Sequence, residues 1–323
     1  MDVSVQGILQ ARQFIYQYLK PTPLLHYPLL SRELGCSAFI KHENHNPTGA
    51  FKIRGGLNLI GNLDAADKKR GVIAATRGNH GQSVALASSI FGVRAVIVVP
   101  EGNNPEKNSA MEAYGAELLI HGRDFDEARA KVESMQRETP MRYIHSGNEP
   151  MLIHGVGTYA VEILEDLADP DFVFVPIGGG SGAAGILTVM RAMAPRVKVI
   201  GVQAEQAPAV YLSWKKGADT TTESADTIAD GLATRVPFEL PFSLIKDSID
   251  DIVTVSEEEL AWAVYEVFRT AHNAAEPAGA AAVAGAVKLR NQVAGKKVVL
   301  ILSGGNISSS LFQGILSRYA VSD

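Results

Sequence analysis

The chain has 323 residues, of which 46% are hydrophobic and 20% are charged, and its formal net charge is −5. This size and apolar content predict one large core or two connected ones. The negative net charge argues against nucleic acid as a partner. The absence of any basic tract longer than Lys68-Lys69-Arg70 supports the same conclusion.

The single cysteine, Cys36, excludes an intrachain disulfide and any multi-cysteine metal site. We therefore expect a reducing, cytoplasmic setting. The N-terminus has an early acid and no apolar segment, so no signal peptide is expected. The longest apolar stretch, residues 278–287, is too short to cross a bilayer, so no membrane partner is expected.

Short β-branched segments alternate with amphipathic helical patterns, which is typical of βαβ units around a mainly parallel sheet. Two helix starts follow capping chemistry. Asn104-Pro105 opens a helix that ends at about Tyr114, and a Ser-x-x-Glu capping box at 256–259 opens one that ends at about Ala271. The predicted strands are 38–41, 71–75, 95–99, 117–120, 172–176, 198–203, 251–255 and 297–302.

These elements predict an α/β fold with two open, twisted, mostly parallel sheets. Three strand units between about 72 and 147 could form a compact inserted subdomain. We therefore predict a large domain of residues 1–71 and 148–323, and a small domain of residues 72–147.

Residues 46–56 read NPTGAFKIRGG and set Lys52 between two apolar neighbours after a Pro-Thr-Gly turn. A lysine held there can lose hydration and lower its pKa, as an amine must to attack a carbonyl or form a Schiff base. The alternative is an amphipathic side chain whose stem packs and whose charged head reaches solvent.

Three glycine-bearing segments directly follow predicted strands, where ligands bind in open α/β sheets. Residues 74–83 read AATRGNHGQS and concentrate hydrogen-bond donors suited to a carboxylate and a phenolic oxygen. A helix N-cap would explain only one of these polar residues. The donors are Thr76, Arg77, Asn79 and His80.

Residues 172–185 read FVFVPIGGGSGAAG, a strand, a glycine-rich turn at Gly178 to Gly182 and a helix start. The backbone N–H groups of such a turn and the dipole of the following helix can bind a phosphate, so we expect a phosphate site here. The alternative is a tight turn that binds no ligand. The turn matches neither a P-loop nor a dinucleotide fingerprint. The third segment ends an apolar strand in Ser303 and Gly-Gly-Asn306, and Ser303 alone would more often be a cap.

Together these segments resemble the fold-type II pyridoxal-phosphate enzymes, which share the fold of the tryptophan synthase beta chain. The serine/threonine dehydratase and serine racemase branch is the most similar. The resemblance implies pyridoxal 5'-phosphate as the cofactor, an amino-acid substrate, a homodimer and a mobile small domain. The matching motifs are KHENHNPTGAFKIR (41–54), GNHG (78–81), the glycine-rich turn at 178–182, ADG (229–231), EP (276–277) and SGGN (303–306).

The resemblance also implies roles for individual residues. Lys52 would form the Schiff base with the cofactor and later take the Cα proton, Phe51 would lie beside the cofactor ring, and Ser303 would face its pyridine nitrogen. Asn79 would bond the phenolic oxygen and, with Thr76 and His80, receive the substrate carboxylate. Arg129 could join on closure or remain a surface arginine. The phosphate would lie in the turn formed by Gly178, Gly179, Gly180, Ser181 and Gly182.

The implied reaction is that of a dehydratase, or ammonia-lyase, which converts threonine or serine into a 2-oxo acid and ammonia. A serine at the pyridine nitrogen does not enforce its protonation, which favours loss of a β-substituent over transamination. The alternatives are 3-hydroxyaspartate or phenylserine as substrate, amino-acid racemisation, and β-replacement.

The chain departs from the family pattern at two places that bear on function. Arg77 stands where racemases have a serine that acts as the second acid/base, and a guanidinium cannot serve as one. Arg77 could bind a substrate carboxylate, favouring 3-hydroxyaspartate, or bond a protein carbonyl or an acid outside the pocket.

Gln203 and Ala209 replace the carboxylates of the family's divalent-cation site, so we expect no metal, although Glu205 lies near. The chain also ends soon after Asn306, so neither a C-terminal regulatory domain nor feedback control by isoleucine is expected.

Overall fold

Ten strands and fifteen α-helices occur in the computed structural model, which describes residues 2–320. The strands are β1 Leu24–His26, β2 Ser37–His42, β3 Val72–Ala75, β4 Ala95–Val99, β5 Glu117–Ile120, β6 Arg142–Tyr143, β7 Phe172–Pro176, β8 Lys198–Ala204, β9 Asp251–Val255 and β10 Lys297–Leu302. The helices are α1 Val5–Ile15, α2 Pro28–Leu34, α3 Lys52–Gly61, α4 Ala65–Arg70, α5 Asn79–Ile90, α6 Pro105–Ala113, α7 Phe125–Met135, α8 Pro150–Asp166, α9 Ser181–Met193, α10 Ala209–Lys216, α11 Glu239–Ile245, α12 Glu257–Ala271, α13 Pro277–Lys288, α14 Arg290–Val293 and α15 Ser309–Tyr319.

The strands form two open sheets. The six-stranded sheet has the order β1-β2-β10-β7-β8-β9, and only β1 runs antiparallel to its neighbour. The four-stranded sheet has the order β5-β4-β3-β6 and is parallel throughout. The predicted α/β fold with mostly parallel, open sheets is therefore confirmed.

All eight predicted strands are present, and their ends agree with the prediction to within one residue. The two predicted helices are also present, and the capping box at Ser256 and Glu259 is complete. The prediction missed β1 and β6, which are only three and two residues long. Such short edge strands carry no alternating apolar pattern that could reveal them.

The four-stranded sheet is drawn entirely from residues 72–143, and the six-stranded sheet from residues on both sides of that segment. The domain boundaries at 72 and 147 and the mobility of the small domain stay predictions. Within residues 2–320, each helix is too short or too polar to cross a membrane.

A buried ionic cluster fixes α3 against the large sheet. Arg54 on α3 donates to both oxygens of Glu43, at 2.7 and 2.8 Å, and to both oxygens of Glu162 on α8, at 2.5 and 2.9 Å. Lys41 of β2 donates to Glu162 at 2.6 Å. All four side chains are at most 2% exposed, so two positive and two negative charges balance away from water. Because Lys52 lies two residues before Arg54, this cluster also fixes the start of α3.

The Arg54→Met variant should lose about 3–5 kcal/mol of stability, because it leaves two buried carboxylates with too few partners. Denaturant unfolding followed by circular dichroism would measure the loss. The matched control is Arg94→Met, which removes an exposed pair between side chains that are 60% and 58% exposed. That change should cost less than about 1 kcal/mol. Equal shifts in the two variants would contradict a stabilising role for the cluster.

Candidate active site

One pocket is lined by loops that follow strands of both sheets. The segments after β2, β3, β7 and β10 all reach it, and α6 and α7 contribute a side chain each. This convergence follows from the parallel strands, whose carboxyl ends meet at one edge of a sheet. Arg129, the arginine that could join the site on closure, does not line the pocket and pairs with Asp126 at 3.2 Å. The pocket contains the other residues predicted for the site, namely Phe51, Lys52, Thr76, Arg77, Asn79, His80, Gly178, Gly179, Gly180, Ser181, Gly182 and Ser303.

The glycine-rich turn between β7 and α9 presents its amides to this pocket. Within the described chain, the N–H groups of residues 178–182 donate to no other protein group. Gly180 has a φ of +86°, and a Cβ at Gly179 would lie 2.2 Å from the ring of Phe238, so the turn requires glycine at both places. Five free amides at the start of a 13-residue helix form a site for an anion such as phosphate.

Lys52 is the first residue of α3, and its amine lies beside this turn. Nζ donates to Ser181 Oγ at 2.8 Å and to the carbonyl oxygen of Ser146 at 2.9 Å, and it lies 5.1 Å from the centroid of the Phe51 ring. Burial lowers the pKa of Lys52 to about 8. A larger fraction of the amine is therefore neutral, and able to attack a carbonyl, than in an ordinary lysine.

In the loop after β3, two of the side chains predicted to bind substrate form hydrogen bonds to protein groups. Thr76 Oγ1 accepts from the amides of Gly78 and Gly81, at 2.9 and 3.2 Å. His80 Nε2 lies 3.0 Å from the carbonyl oxygen of Ile144, so Nε2 carries a hydrogen, and Nδ1 is buried without a partner. Burial and the nearby Lys52 lower the pKa of His80 to about 3. His80 is therefore neutral, and a role in binding a carboxylate stays a prediction for both side chains.

A chain of polar contacts that was not predicted lines the wall near Asn79. Asn79 Nδ2 donates to Glu276 Oε1, and Lys107 Nζ donates to Glu276 Oε2 at 2.9 Å and to Asp230 Oδ2 at 2.7 Å. Lys107 is 4% exposed and Glu276 is 1% exposed. Burial would lower the pKa of Lys107, but the two carboxylates outweigh this effect and raise the pKa. Asp230 and Glu276 belong to the motifs ADG and EP that the chain shares with the similar family. Lys107 belongs to no such motif, and nothing in the sequence of α6 marked it as a pocket residue.

After β10, Ser303 lines the pocket, and Asn306 supports the lining residue Asn79. Asn306 Nδ2 donates to Asn79 Oδ1 at 2.8 Å, which fixes the orientation of the Asn79 amide. Ser303 Oγ lies 3.5 Å from the carbonyl oxygen of Ala278, a distance at the limit of a hydrogen bond. The Ser303 hydroxyl is therefore free to bond a ligand atom.

The family's cation positions carry an ordinary amide network in this chain. Gln203 is fully buried, donates from Nε2 to the Ile177 carbonyl at 3.2 Å, and accepts from the Tyr211 amide at 2.8 Å. Glu205 pairs with Lys288 at 3.2 Å. Residues 2–320 contain no group of three or more carboxylate, histidine or cysteine side chains placed to hold a metal. Metal independence stays a prediction.

The chain is similar to known proteins over nearly its whole length. Residues 15–304 match the family model of pyridoxal-phosphate dependent enzymes. The L-threonine ammonia-lyase of Thermotoga maritima is 39% identical over 98% of this chain and 79% of its own. The processed form of threonine deaminase isoform 2 from Solanum lycopersicum has a TM-score of 0.90 at 31% identity, with 99% of this chain and 96% of that chain covered. Maize serine racemase has a TM-score of 0.92 at 29% identity, with 98% of each chain covered.

The pocket fits the cofactor after which this family is named. The free amides of residues 178–182 suit its phosphate, and the amine of Lys52 suits its aldehyde. The Phe51 ring offers an apolar surface beside Lys52, and the Ser303 hydroxyl offers a partner for a ring nitrogen. Each part of the cofactor thus has a matching group among the pocket residues.

The rate at which apoenzyme captures pyridoxal 5'-phosphate should rise with pH through about 8 and then level, because only the neutral amine attacks the aldehyde. Stopped-flow absorbance of the bound cofactor would measure this rate, and Lys52→Ala should show no such absorbance. A rate that keeps rising toward 10.5, the pKa of an ordinary lysine, would contradict an effect of burial on Lys52.

Chelation of divalent cations should leave both the melting temperature and the activity of the wild-type enzyme unchanged, because Gln203 and Ala209 supply no carboxylate oxygen. The double variant Gln203→Glu, Ala209→Asp should instead gain a melting temperature that rises with added Mg²⁺ or Ca²⁺. Thermal scans with and without chelator would test both statements. A chelator-sensitive wild type would refute the first.

Proposed function

Because this chain belongs to the family of pyridoxal-phosphate dependent enzymes, we propose that it is an ammonia-lyase that dehydrates a β-hydroxy amino acid, with threonine or serine as substrate. Its cofactor is pyridoxal 5'-phosphate, and its products are a 2-oxo acid and ammonia. The observation that carries the proposal is the pairing of a buried amine, Lys52, with the free amides of residues 178–182 in one pocket. The named activities of the L-threonine ammonia-lyase and threonine deaminase relatives support it.

Lys52 is the base that takes the Cα proton of the substrate. When bound, the cofactor supplies an electron sink for the pair that remains at Cα. Among the described residues that line the pocket, Lys52 has the one amine without a carboxylate partner, since two carboxylates hold Lys107. Its pKa of about 8 lets it accept a proton near neutral pH and release it again.

The amides at the start of α5 receive the α-carboxylate of the substrate. No protein acceptor bonds the N–H groups of Asn79 and His80 within the described chain. The helix dipole adds partial positive charge at the same place. Since His80 is neutral, the attraction comes from the amides and the dipole. Thr76 acts indirectly, because its hydroxyl holds the loop in shape.

Ser303 directs the reaction toward elimination. A hydroxyl in that position can bond a ring nitrogen without forcing a proton onto it, whereas a carboxylate would. Glu276, a carboxylate of the pocket wall, accepts from Asn79 and is paired with the ammonium of Lys107. The pocket therefore favours fast loss of the β-hydroxyl over transamination.

We also propose a homodimer in the cytoplasm, with a small domain of residues 72–147 that closes over the substrate. The buried single cysteine, Cys36, fits a reducing compartment. Contacts cross the predicted domain boundary at the pocket: Arg235 donates to Asp126 at 2.8 Å, and Lys107 bonds Asp230 and Glu276. Light scattering would measure the oligomeric state.

Purified enzyme should release equal amounts of 2-oxobutanoate and ammonia from L-threonine, and of pyruvate and ammonia from L-serine. The Lys52→Ala variant should lose at least about 10³-fold of this rate, since it removes the base proposed to take the Cα proton. Chiral chromatography should find no D-serine, because Arg77 cannot act as a second acid/base. Formation of D-serine at a rate similar to pyruvate release would instead support a racemase.

A further inference from the structure

Among residues 2–320, no protein group bonds the guanidinium of Arg77. Arg77 lies in the loop between β3 and α5 and lines the pocket. Its Nε is shielded from solvent yet bonds to no group, and none of the ion pairs of residues 2–320 includes this side chain. The side chain as a whole is half-buried, so its terminal nitrogens are less shielded than Nε. A charged donor shielded from water without an acceptor is costly, so an anion that enters the pocket would stabilise this group.

The acids of the pocket wall are not available to Arg77. Asp230 and Glu276 are both bonded to Lys107, at 2.7 and 2.9 Å, and Glu276 also accepts from Asn79. Two of the anions expected in the pocket also have their own sites. The cofactor phosphate has the amides of residues 178–182, and the α-carboxylate has those at the start of α5. A further anionic group on the substrate would remain for Arg77.

We propose that Arg77 binds a second carboxylate of the substrate, carried on the β-carbon. This inference rests on the proposed dehydration reaction, but it makes β-hydroxy dicarboxylic amino acids, of which 3-hydroxyaspartate is the smallest, the preferred substrates in place of threonine and serine. The planar guanidinium can form two parallel bonds to a carboxylate, which a lone hydroxyl or methyl group cannot accept. Thr234, whose buried hydroxyl also lacks a partner, lines the same pocket and offers a further donor.

The reaction balances with no added reagent. Loss of the Cα proton and the β-hydroxide removes one water from 3-hydroxyaspartate and leaves an unsaturated amine. Addition of one water to that product releases ammonia and oxaloacetate. The net change is 3-hydroxyaspartate to oxaloacetate plus ammonia, with no oxidation or reduction and no other reactant.

The test compares kcat/KM for 3-hydroxyaspartate and L-threonine in the holoenzyme. The wild type should favour 3-hydroxyaspartate, and Arg77→Ala should lower its kcat/KM by about 100-fold, the usual effect of deleting a charged hydrogen-bond pair. The loss on threonine should be at least about tenfold smaller, because threonine has no second carboxylate. Arg77→Lys should fall between, because an ammonium keeps the charge without the two-pronged geometry. Arg137→Ala, at an exposed arginine, is the matched control and should change neither substrate.

A binding measurement separates this inference from the proposed function. L-aspartate and L-alanine have no β-hydroxyl to lose, and each can be titrated against the absorbance of the bound cofactor. Arg77→Ala should weaken aspartate about 100-fold and alanine far less. Equal losses on both substrates and both ligands would overturn the role of Arg77 and leave the ammonia-lyase intact. A wild type that prefers threonine would also overturn it. Arginine-dependent aspartate binding without 2-oxo acid release from any β-hydroxy amino acid would instead refute the ammonia-lyase.

Discussion

The pairing of Arg54 with Glu43 and Glu162 is the constraint on which the site depends. Each of these charges would be far too costly to bury alone, so the three side chains must meet in one geometry. That geometry joins the segment after β2, the first turn of α3 and the middle of α8. Lys52 lies on the same turn of α3, and its amine therefore reaches Ser181 from a helix with little freedom to move. The segment 41–54 thus combines a reactive amine with the anchor that holds it.

Besides a fixed lysine, the site needs groups that can bind a ligand, and these are groups that the fold leaves without hydrogen-bond partners. Free amides at residues 178–182, a Ser303 hydroxyl with one long contact and an unpartnered Arg77 all face one pocket. Unpaired buried donors each cost about 1–3 kcal/mol. Anions that bind to the folded protein offset these costs, so cofactor binding and folding are linked. The cofactor should accordingly raise the melting temperature of the protein.

Much of this arrangement could be predicted from the sequence, because its strongest signals are local. Strand periodicity, the capping box at Ser256 and the glycine-rich turn each occupy a short segment, and the resemblance to a pyridoxal-phosphate family was confirmed. Interactions between segments that are distant in sequence could not be predicted, because local sequence patterns carry no signal for them. Lys107 and Glu276 are 169 residues apart, and only the fold brings them together. The neutral state of His80 likewise depends on burial in the folded protein and on the nearby charge of Lys52, which no local pattern encodes.

The contact of Lys107 with Asp230 and Glu276 has a mechanical consequence. Lys107 lies on α6, between two strands of the four-stranded sheet. Asp230 and Glu276 lie in segments that connect strands of the six-stranded sheet. Any outward swing of one sheet from the other must pull an ammonium away from two carboxylates and admit water to replace them. Dissolved ions screen charges that become exposed to water, so the opened state gains more from salt than the closed one. An opening of this kind would therefore depend on the ionic composition of the surrounding solution, through a lysine that has no role in the proposed chemistry.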